Sequence, residues 1–304
     1  MKFLTVLSLF VSLLLSQLAN AGTVKKILVV LSSEDHITVL KSKETGELTS
    51  HPTGFFLSEL MVPLMALKKA GYEPVYASPK GGYATMDKVS DSAFWFAGNE
   101  EKYNATRKAC EQEGLCGTGV SGTKKIKTLE SVLSSGLNSY AGILVPGGHA
   151  PMEDLWRDKT LGKILTAFHQ TSRPTALICH GPIALLSAMS NPEKFGALLA
   201  DGKQVEASKH AKDWIYTGYK MTIFSTKEEQ HEEPGQDNLL GGWVKFYPDE
   251  ALDIAGGKVL VRAQKWQGNV IRDRELITGQ NPFSDESLAK EFISALNEQK
   301  NDNK

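Results

Sequence analysis

Short apolar runs alternate with longer amphipathic segments along most of the chain. The run at 26–31 is continuous and rich in β-branched residues, as in a strand that is buried on both faces. The segment 53–70 instead repeats its apolar positions mostly at helical spacing, carries Lys68 and Lys69 near its end, and is closed by Gly71. The same patterns predict strands at 74–78, 141–145, 175–178, 219–224, 258–262 and 275–278, and helices at 154–170, 183–189 and 284–296.

Strands that alternate with helices are typical of parallel β-α-β units, so the pattern predicts an α/β fold with a mostly parallel sheet. No internal repeat or low-complexity linker interrupts the elements, and we expect one domain over 22–304. Two polar stretches, 87–127 and 202–219, are interpreted as insertions. Insertions of this length are more often functional lids than accidental loop growth, so we expect them to act as lids.

The first 21 residues have the pattern of a secretory signal peptide. Lys2 supplies a positive charge, 3–15 is a mostly apolar run, and 19–21 is an Ala-Asn-Ala cleavage site. The apolar run is shorter than the roughly 18 residues that a membrane-spanning helix needs. We expect cleavage after Ala21 and export to a periplasmic or secreted location.

The charge balance limits the partners. The chain has 34 Lys and Arg against 35 Asp and Glu, a formal net charge of -1, and 41% of its residues are hydrophobic. This composition excludes a disordered chain. Because there is no basic excess, we expect no nucleic-acid binding and no stable association with anionic membranes. A small neutral or weakly charged partner fits better.

Three cysteines become informative in an exported protein, because such a protein meets an oxidising compartment. Cys110 and Cys116 lie close together in a polar, glycine-bearing stretch that is interpreted as a loop, so we expect a local disulfide between them. Cys179 is then left over. An odd cysteine in an exported protein forms a disulfide with another molecule, is a reactive thiol, or is a small buried apolar residue.

Cys179 stands where a buried strand turns sharply into a helix. Such a nucleophile elbow presents its side chain at the carboxyl edge of the sheet, where open α/β sheets bind ligands. Gly181 permits close approach, and Pro182 suits the first helical turn. The amides and dipole of the following helix favour a thiolate, so we expect a nucleophilic Cys179 with a lowered pKa. The G-x-S-x-G pattern of serine hydrolases does not occur at this elbow.

Two further groups are candidates for proton transfer and charge stabilisation. Glu59 is the only acid inside the apolar helix at 53–70; such an acid is either solvated or a partly desolvated carboxyl with a raised pKa that donates or accepts a proton. His149 ends another predicted strand and should lie on the same sheet edge as the cysteine. The amides of Gly147 and Gly148 before it are candidate donors to an oxyanion.

Four separated motifs follow one another along the chain. They are the helix that contains Glu59, Pro-Gly-Gly-His at 146–149, Cys-His-Gly-Pro at 179–182 and Leu-Ile-Thr-Gly-Gln-Asn-Pro at 276–282. Together they resemble the ThiJ/PfpI superfamily, and most closely its branch of heat-shock chaperones and glutathione-independent glyoxalases (glyoxalase III). The resemblance implies a flavodoxin-like three-layer α/β/α sandwich, often a homodimer, that converts methylglyoxal or glyoxal to a hydroxy acid without a cofactor.

The same resemblance assigns roles to single residues. Cys179 corresponds to the family nucleophile, His180 to the adjoining histidine, and Glu59 to the carboxyl that hydrogen-bonds the thiol and moves protons. A third partner, an acid that orients the histidine, is expected shortly after the following strand. Glu229 has that spacing, and Glu228 is its competitor.

The chain departs from the family at a metal site. Some members bind a metal through a histidine shortly before the helix glutamate, that glutamate, and the histidine of the Gly-Gly-His motif. Phe56 occupies the first of these positions here. Because Glu59 and His149 alone make a poor metal site, we expect none.

The leading hypothesis is therefore a cofactor-free glyoxalase that acts through Cys179. Two alternatives remain open. One is an exported holding chaperone or redox-sensing protein. The other is a cysteine hydrolase or amidotransferase-like enzyme, whose His-x-Glu pattern is met at 231–233, but before two more strands, so we attribute that match to chance.

Overall fold

The computed structural model describes residues 25–302, with side chains described as far as Gln299. The predicted signal segment, 1–21, lies outside the described residues. The strands are β1 Lys26–Val30, β2 His36–Leu40, β3 Leu48–Pro52, β4 Glu73–Ser78, β5 Gly82–Thr85, β6 Ser121–Thr128, β7 Tyr140–Val145, β8 Thr175–Ile178, β9 Lys220–Met221, β10 Lys258–Val259, β11 Val270–Asp273 and β12 Leu276–Gly279.

The α-helices follow the same chain order. They are α1 Leu57–Lys69, α2 Glu100–Glu113, α3 Leu129–Ser134, α4 Lys159–Gln170, α5 Pro192–Ala200, α6 Gln204–Ser208, α7 Thr226–Glu232, α8 Pro248–Ile254 and α9 Asp285–Asp302. Shorter 3-10 helices include Ala93–Phe96, Leu155–Arg157 and Gly181–Ala188.

One large sheet organises the molecule. Its eight strands run in the order β11-β12-β8-β7-β1-β4-β6-β5, and β12 to β6 are parallel while β11 and β5 pair antiparallel at the two edges. Helix α1 packs against α2 and α9, whereas α4 packs against α3 and the 3-10 helix Gly181–Ala188. These two groups flank the sheet, which confirms the expected three-layer α/β/α fold.

The parallel strands at the centre were predicted best, because they are buried apolar runs. β8 matches its predicted bounds, and every residue of β7 is buried. The strand predicted at 219–224 is shorter, since Thr222 N donates to the Thr278 side chain instead of continuing a ladder. The helix predicted at 154–170 begins later, at Lys159, where the Asp158 carboxylate accepts from Leu161 N and caps it.

The stretch 87–127, interpreted as an insertion, contributes a strand to the main sheet. This stretch contains α2 and most of β6, and β6 pairs with β4 to extend the main sheet. The sequence of β6 is polar because most of its side chains are exposed near the sheet edge. The second stretch, 202–219, packs against the 3-10 helix Gly181–Ala188. Trp214 Nε1 donates a hydrogen bond to Leu185 O there at 2.7 Å.

The cysteines pair as expected, although only Cys116 lies in a loop. Cys110 lies in α2 and forms a disulfide with Cys116, with a Cα–Cα distance of 5.4 Å. Both are buried, and the sulfur of Cys116 lies 3.5 Å from that of Met86. Cys179 is a free, buried thiol. Within 25–302, no helix has the length and apolar character needed to cross a bilayer.

Candidate active site

Cys179 occupies a strained turn at the carboxyl edge of the sheet. It follows β8 directly and has a φ of 58°, in the left-handed region that residues with a side chain avoid. Its amide donates to Gly279 O at 2.9 Å, and its carbonyl accepts from Phe224 N at 3.0 Å. These two bonds hold a conformation that costs of order 1–3 kcal/mol, and strain of this kind clusters at functional sites. The elbow inferred from the sequence is therefore present in the fold.

Glu59 lies beside this thiol, fully buried in α1. Its Oε2 accepts from Gly147 N at 2.9 Å, while Oε1 has no hydrogen-bond partner within ordinary distance. Burial raises the pKa of Glu59 well above its usual value. A carboxyl that keeps its proton beside the thiol can deliver that proton, and can take one back once it has ionised.

The expected lowering of the Cys179 pKa was wrong. Burial, and next the charge of the neighbouring Glu59, raise the pKa of the Cys179 thiol well above its usual value. The Gly148 amide, which faces the sulfur, lowers that pKa but does not outweigh burial. The chain after the elbow is also a 3-10 helix, Gly181–Ala188, rather than the α-helix whose dipole had been expected to favour the thiolate.

The two glycines before His149 have different roles. Gly147 N already donates to Glu59, so the expectation that it serves an oxyanion was wrong. Gly148 N faces the Cys179 sulfur and remains a candidate donor. Gly148 has a φ of 81°, and a Cβ there would lie 2.0 Å from Gly54 O. The position requires glycine both for its backbone conformation and for this close approach.

His180 and His149 share one carboxylate. His180 Nε2 lies 2.7 Å from Glu229 Oε2, and His149 Nε2 lies 2.7 Å from Glu229 Oε1. His180 Nδ1 lies 3.4 Å from the Cys179 sulfur. Because Nε2 of neutral His180 donates to Glu229, its Nδ1 is the acceptor that faces the thiol. Glu229 is thus the acid that orients the histidine.

Glu228, the competing acid, has a different task. It closes a capping box with Ser225 at the start of α7. Its Oε1 also accepts from Trp266 N at 3.0 Å and from Asn281 Nδ2 at 2.8 Å. Glu228 therefore ties together three loops behind the site and does not face the thiol.

The charges of this cluster follow from burial and from the shared carboxylate. Burial alone raises the pKa of Glu229, but the two histidines outweigh burial and lower it. Burial opposes the charge of His149, yet Glu229 raises the pKa of His149 to about 9. Burial and the adjacent His149 lower the pKa of His180, and burial raises the pKa of Glu232 to about 8. At neutral pH, a charged His149–Glu229 pair therefore lies beside a neutral His180 and a protonated Glu232.

A cavity opens over the sulfur. The space between the atoms there amounts to about 450 Å³, which includes the open solvent at its mouth. Its polar side holds Cys179, His180, His149, Glu232 and Asp87. The stretch 87–127 supplies lining residues, whereas none of the described lining residues comes from 202–219, so the expectation of a lid was wrong for that second stretch.

Sequence reasoning missed Asp87 and Glu232. Asp87 is buried and accepts from Thr53 Oγ1 at 2.7 Å. Glu232 lies one helical turn after Glu229, so a helix predicted at 226–232 would have placed both acids on one face. The His-x-Glu match at 231–233 was attributed to chance. His231 does not line the cavity, and its ring nitrogens face Lys265 and Asp237.

The residues do not fit a metal ion. His149, His180 and Glu229 bring three ligand-type atoms within 4.8 Å of one another. Two ligands of one tetrahedral zinc, each roughly 2.0–2.1 Å from the ion, lie about 3.3 Å apart. The N···O distances of 2.7 Å are shorter and are those of direct hydrogen bonds. The alternative set is also split, because Glu59 faces Gly147 while His149 faces Glu229.

Comparison with known proteins places this site in a family. The model of the DJ-1/PfpI family matches residues 50–200. The protein/nucleic acid deglycase HchA of Staphylococcus aureus is 27% identical over 276 residues, which cover 89% of this chain and 80% of that protein. The HchA of Pseudomonas aeruginosa is 24% identical over 279 residues, with the same coverage of 89% and 80%. The crystal structure of glyoxalase III from Candida albicans superposes with a TM-score of 0.57 at 20% identity, over 89% of this chain and 97% of that one, and shares the fold. The chain belongs to the DJ-1/PfpI family.

Proposed function

We propose that this protein is a glutathione-independent glyoxalase that converts methylglyoxal or glyoxal to the corresponding hydroxy acid. The observation that carries the proposal is the placement of one strained, buried thiol between two proton-transfer groups. Glu59 contacts Cys179 on one side, and Nδ1 of His180 lies 3.4 Å away on the other. Isomerising a 2-oxoaldehyde needs one nucleophile and a group that moves a proton between adjacent carbons.

The names of the relatives support this chemistry. The HchA relatives are called protein/nucleic acid deglycases, and a fold neighbour is called glyoxalase III. A glyoxalase acts on a free reactive carbonyl compound, and a deglycase acts on its adducts. The same nucleophile and proton shuttle serve both, so the adducts are a second class to assay.

The reaction is balanced without an external oxidant. The Cys179 sulfur bonds to the aldehyde carbon while the thiol proton passes to His180 Nδ1 and then to the new alkoxide, giving a hemithioacetal. In its ionised form, Glu59 removes the proton from that carbon and returns it to the neighbouring carbonyl carbon, while the hydroxyl proton moves to the neighbouring oxygen, which gives a thioester. Water cleaves the thioester to the hydroxy acid and restores the thiol. The former aldehyde carbon is oxidised, the neighbouring carbon is reduced, and one water is added.

The other polar groups hold these reactants in place. The Gly148 amide, which faces the sulfur, donates to the oxygen on the carbon under attack. The Glu229 carboxylate fixes His180 in the tautomer with a proton on Nε2, so that Nδ1 stays available. A raised pKa of Cys179 suits this scheme, because the proton must leave during attack and a base stands ready for it.

We further propose that the mature chain works outside the cytosol, after cleavage of the segment at 1–21. A disulfide between Cys110 and Cys116 is favoured in an oxidising compartment. N-terminal sequencing of protein from the medium or the periplasm tests this, with the mature chain expected to begin at Gly22.

The decisive experiment is lactate formation from methylglyoxal by purified mature protein without glutathione. Cys179→Ser should lose activity by about 10³-fold or more, because a hydroxyl at neutral pH is a far weaker nucleophile. The double variant Cys110→Ser/Cys116→Ser controls for loss of any cysteine and should keep activity at a temperature where it stays folded. No lactate from wild type, and no glycolate from glyoxal, would remove the proposal.

A further inference from the structure

One side of the cavity takes no part in the chemistry. It is formed by four rings, here called the aromatic wall: Phe56, Trp95, Phe224 and Trp266. Their centroids form a continuous chain, at 5.0 Å from Phe56 to Trp95, 5.8 Å from Trp95 to Trp266, and 5.8 Å from Trp266 to Phe224. The chain ends at the reacting groups, because the ring of Phe224 lies 4.5 Å from that of His180.

Trp266 is held in the aromatic wall against its backbone preference. Its φ is 63°, a strained value for a bulky residue. The Trp266 amide donates to Glu228 Oε1, and Glu228 is fully buried and fixed by Ser225 and Asn281. Strained residues persist only where their surroundings over-determine them, and they cluster at ligand clamps. The buried carboxylate of Glu228 thus positions an indole at the cavity.

The charges around the cavity exclude one class of ligand. Among the described residues that line it, none is a lysine or arginine, and Asp87 and Glu232 are acids. The one cation among these residues, the His149 imidazolium, is already paired with the Glu229 carboxylate, so a carboxylate or phosphate on a substrate would find no unpaired positive charge there. A neutral planar group, in contrast, stacks on or packs edge to face against the aromatic wall.

We propose that the aromatic wall binds the substituent of the substrate and that the enzyme prefers 2-oxoaldehydes that carry a neutral aryl group, with Trp266 as the specificity-determining residue. This rests on the proposed glyoxalase function. Phenylglyoxal is the simplest such compound, and one water converts it to mandelate by the same transfer of a proton between adjacent carbons. Glyoxal, which has no substituent, cannot use the aromatic wall.

The first test compares kcat/KM for phenylglyoxal and glyoxal in wild type and Trp266→Ala. The ratio of the two values should fall by about tenfold in the variant, in the range found when a binding pocket loses part of its apolar contact. Trp266→Phe should restore most of the ratio. Trp243→Ala is the matched control, because Trp243 is also partly buried but does not line the cavity. An equal change for both substrates in Trp266→Ala would overturn the proposal.

A binding measurement separates failure of this proposal from failure of the proposed function. Acetophenone carries the aryl ketone without the aldehyde, so it binds without reacting, and calorimetry measures its affinity for folded wild type and Trp266→Ala. We expect at least tenfold weaker binding in the variant, and no binding of benzoate by wild type. If no oxoaldehyde is turned over but this pattern appears, the glyoxalase function fails and the aryl site stands. If wild type binds benzoate as well as acetophenone, the aryl site falls.

Discussion

His149 and His180 donate to the two oxygens of a single carboxylate, Glu229, and their rings lie 4.1 Å apart. The arrangement gives the two histidines unequal charges, because the pKa of His149 is raised to about 9 while that of His180 is lowered. One imidazolium pairs with the carboxylate, and the other ring stays neutral beside Cys179. The site thus keeps a proton acceptor 3.4 Å from its sulfur at neutral pH.

Removing the charge of Glu229 should slow catalysis strongly. In Glu229→Gln the amide cannot accept from both histidines, so His180 loses the bond that fixes its tautomer. We expect kcat/KM for methylglyoxal to fall by roughly 10²-fold or more, in the range found for lost proton transfer. Glu206→Gln, on the exposed side of α6, is the control. Activity of Glu229→Gln within a few-fold of wild type would contradict the role given to this acid.

The protonation of Cys179 can be read from its alkylation rate. Because burial and the charge of Glu59 raise the pKa of this thiol, its reaction with iodoacetamide should still be accelerating above the free-cysteine pKa of about 8.5. Once Glu59 ionises at alkaline pH, its charge opposes the thiolate. Glu59→Gln removes that charge, so its rate profile should move to lower pH. Ser58→Ala, a buried neighbour without charge, should leave the profile in place. A wild-type profile that levels off below pH 8 would refute this prediction.

Stability should fall as the pH rises from neutral. The folded pKa of Glu232, about 8, exceeds its unfolded value, so its ionisation favours the unfolded chain as the pH rises towards 8. The folded pKa of His149, about 9, is also raised, and the stability that its charge contributes is lost as the pH rises through 9. Melting temperatures at pH 6.5 and 9 should show this drop, and Glu232→Gln should show a smaller one. An equal drop in both proteins would count against Glu232.

The substitution Gly148→Ala tests the close approach between Gly148, the candidate oxyanion donor, and Gly54 O. Its control is Gly136→Ala, because Gly136 has a similar φ of 85° but no atom within 4 Å of an added Cβ. The control carries only the backbone cost, about 1–2 kcal/mol. At Gly148 the added carbon also meets Gly54 O, so urea unfolding should give a clearly larger loss of stability. Equal losses would show that Gly54 moves aside freely.

The sequence located the reacting groups well, because each one interrupts a strong local pattern. Cys179 ends a buried apolar strand, and Glu59 is the lone acid in an apolar helix. The sequence could not show whether the pKa of Cys179 is raised or lowered. That shift depends on how deeply the fold buries the thiol and on which charge lies beside it. The residues next to Cys179 in the sequence show neither the depth of its burial nor the charge beside it.

Other features depend on contacts between distant segments. Glu228 and Glu229 are adjacent on α7, and only the packing of that helix decides which one meets the histidines. The left-handed backbone of Trp266 follows from a bond to Glu228, 38 residues away in the chain. The β2–β3 hairpin escaped prediction because its strands are half exposed and lack a clear apolar run.

The disulfide in α2 has a practical consequence for making the protein. In a reducing bacterial cytosol, Cys110 and Cys116 would remain thiols, and labelling of the unfolded chain would count three thiols instead of one. The disulfide also contacts the sulfur of Met86. Met86 immediately precedes Asp87, which lines the cavity. Recombinant protein should therefore be produced in an oxidising host compartment and purified without strong reductants. Otherwise thiol assays on Cys179 would also detect the unpaired thiols of Cys110 and Cys116.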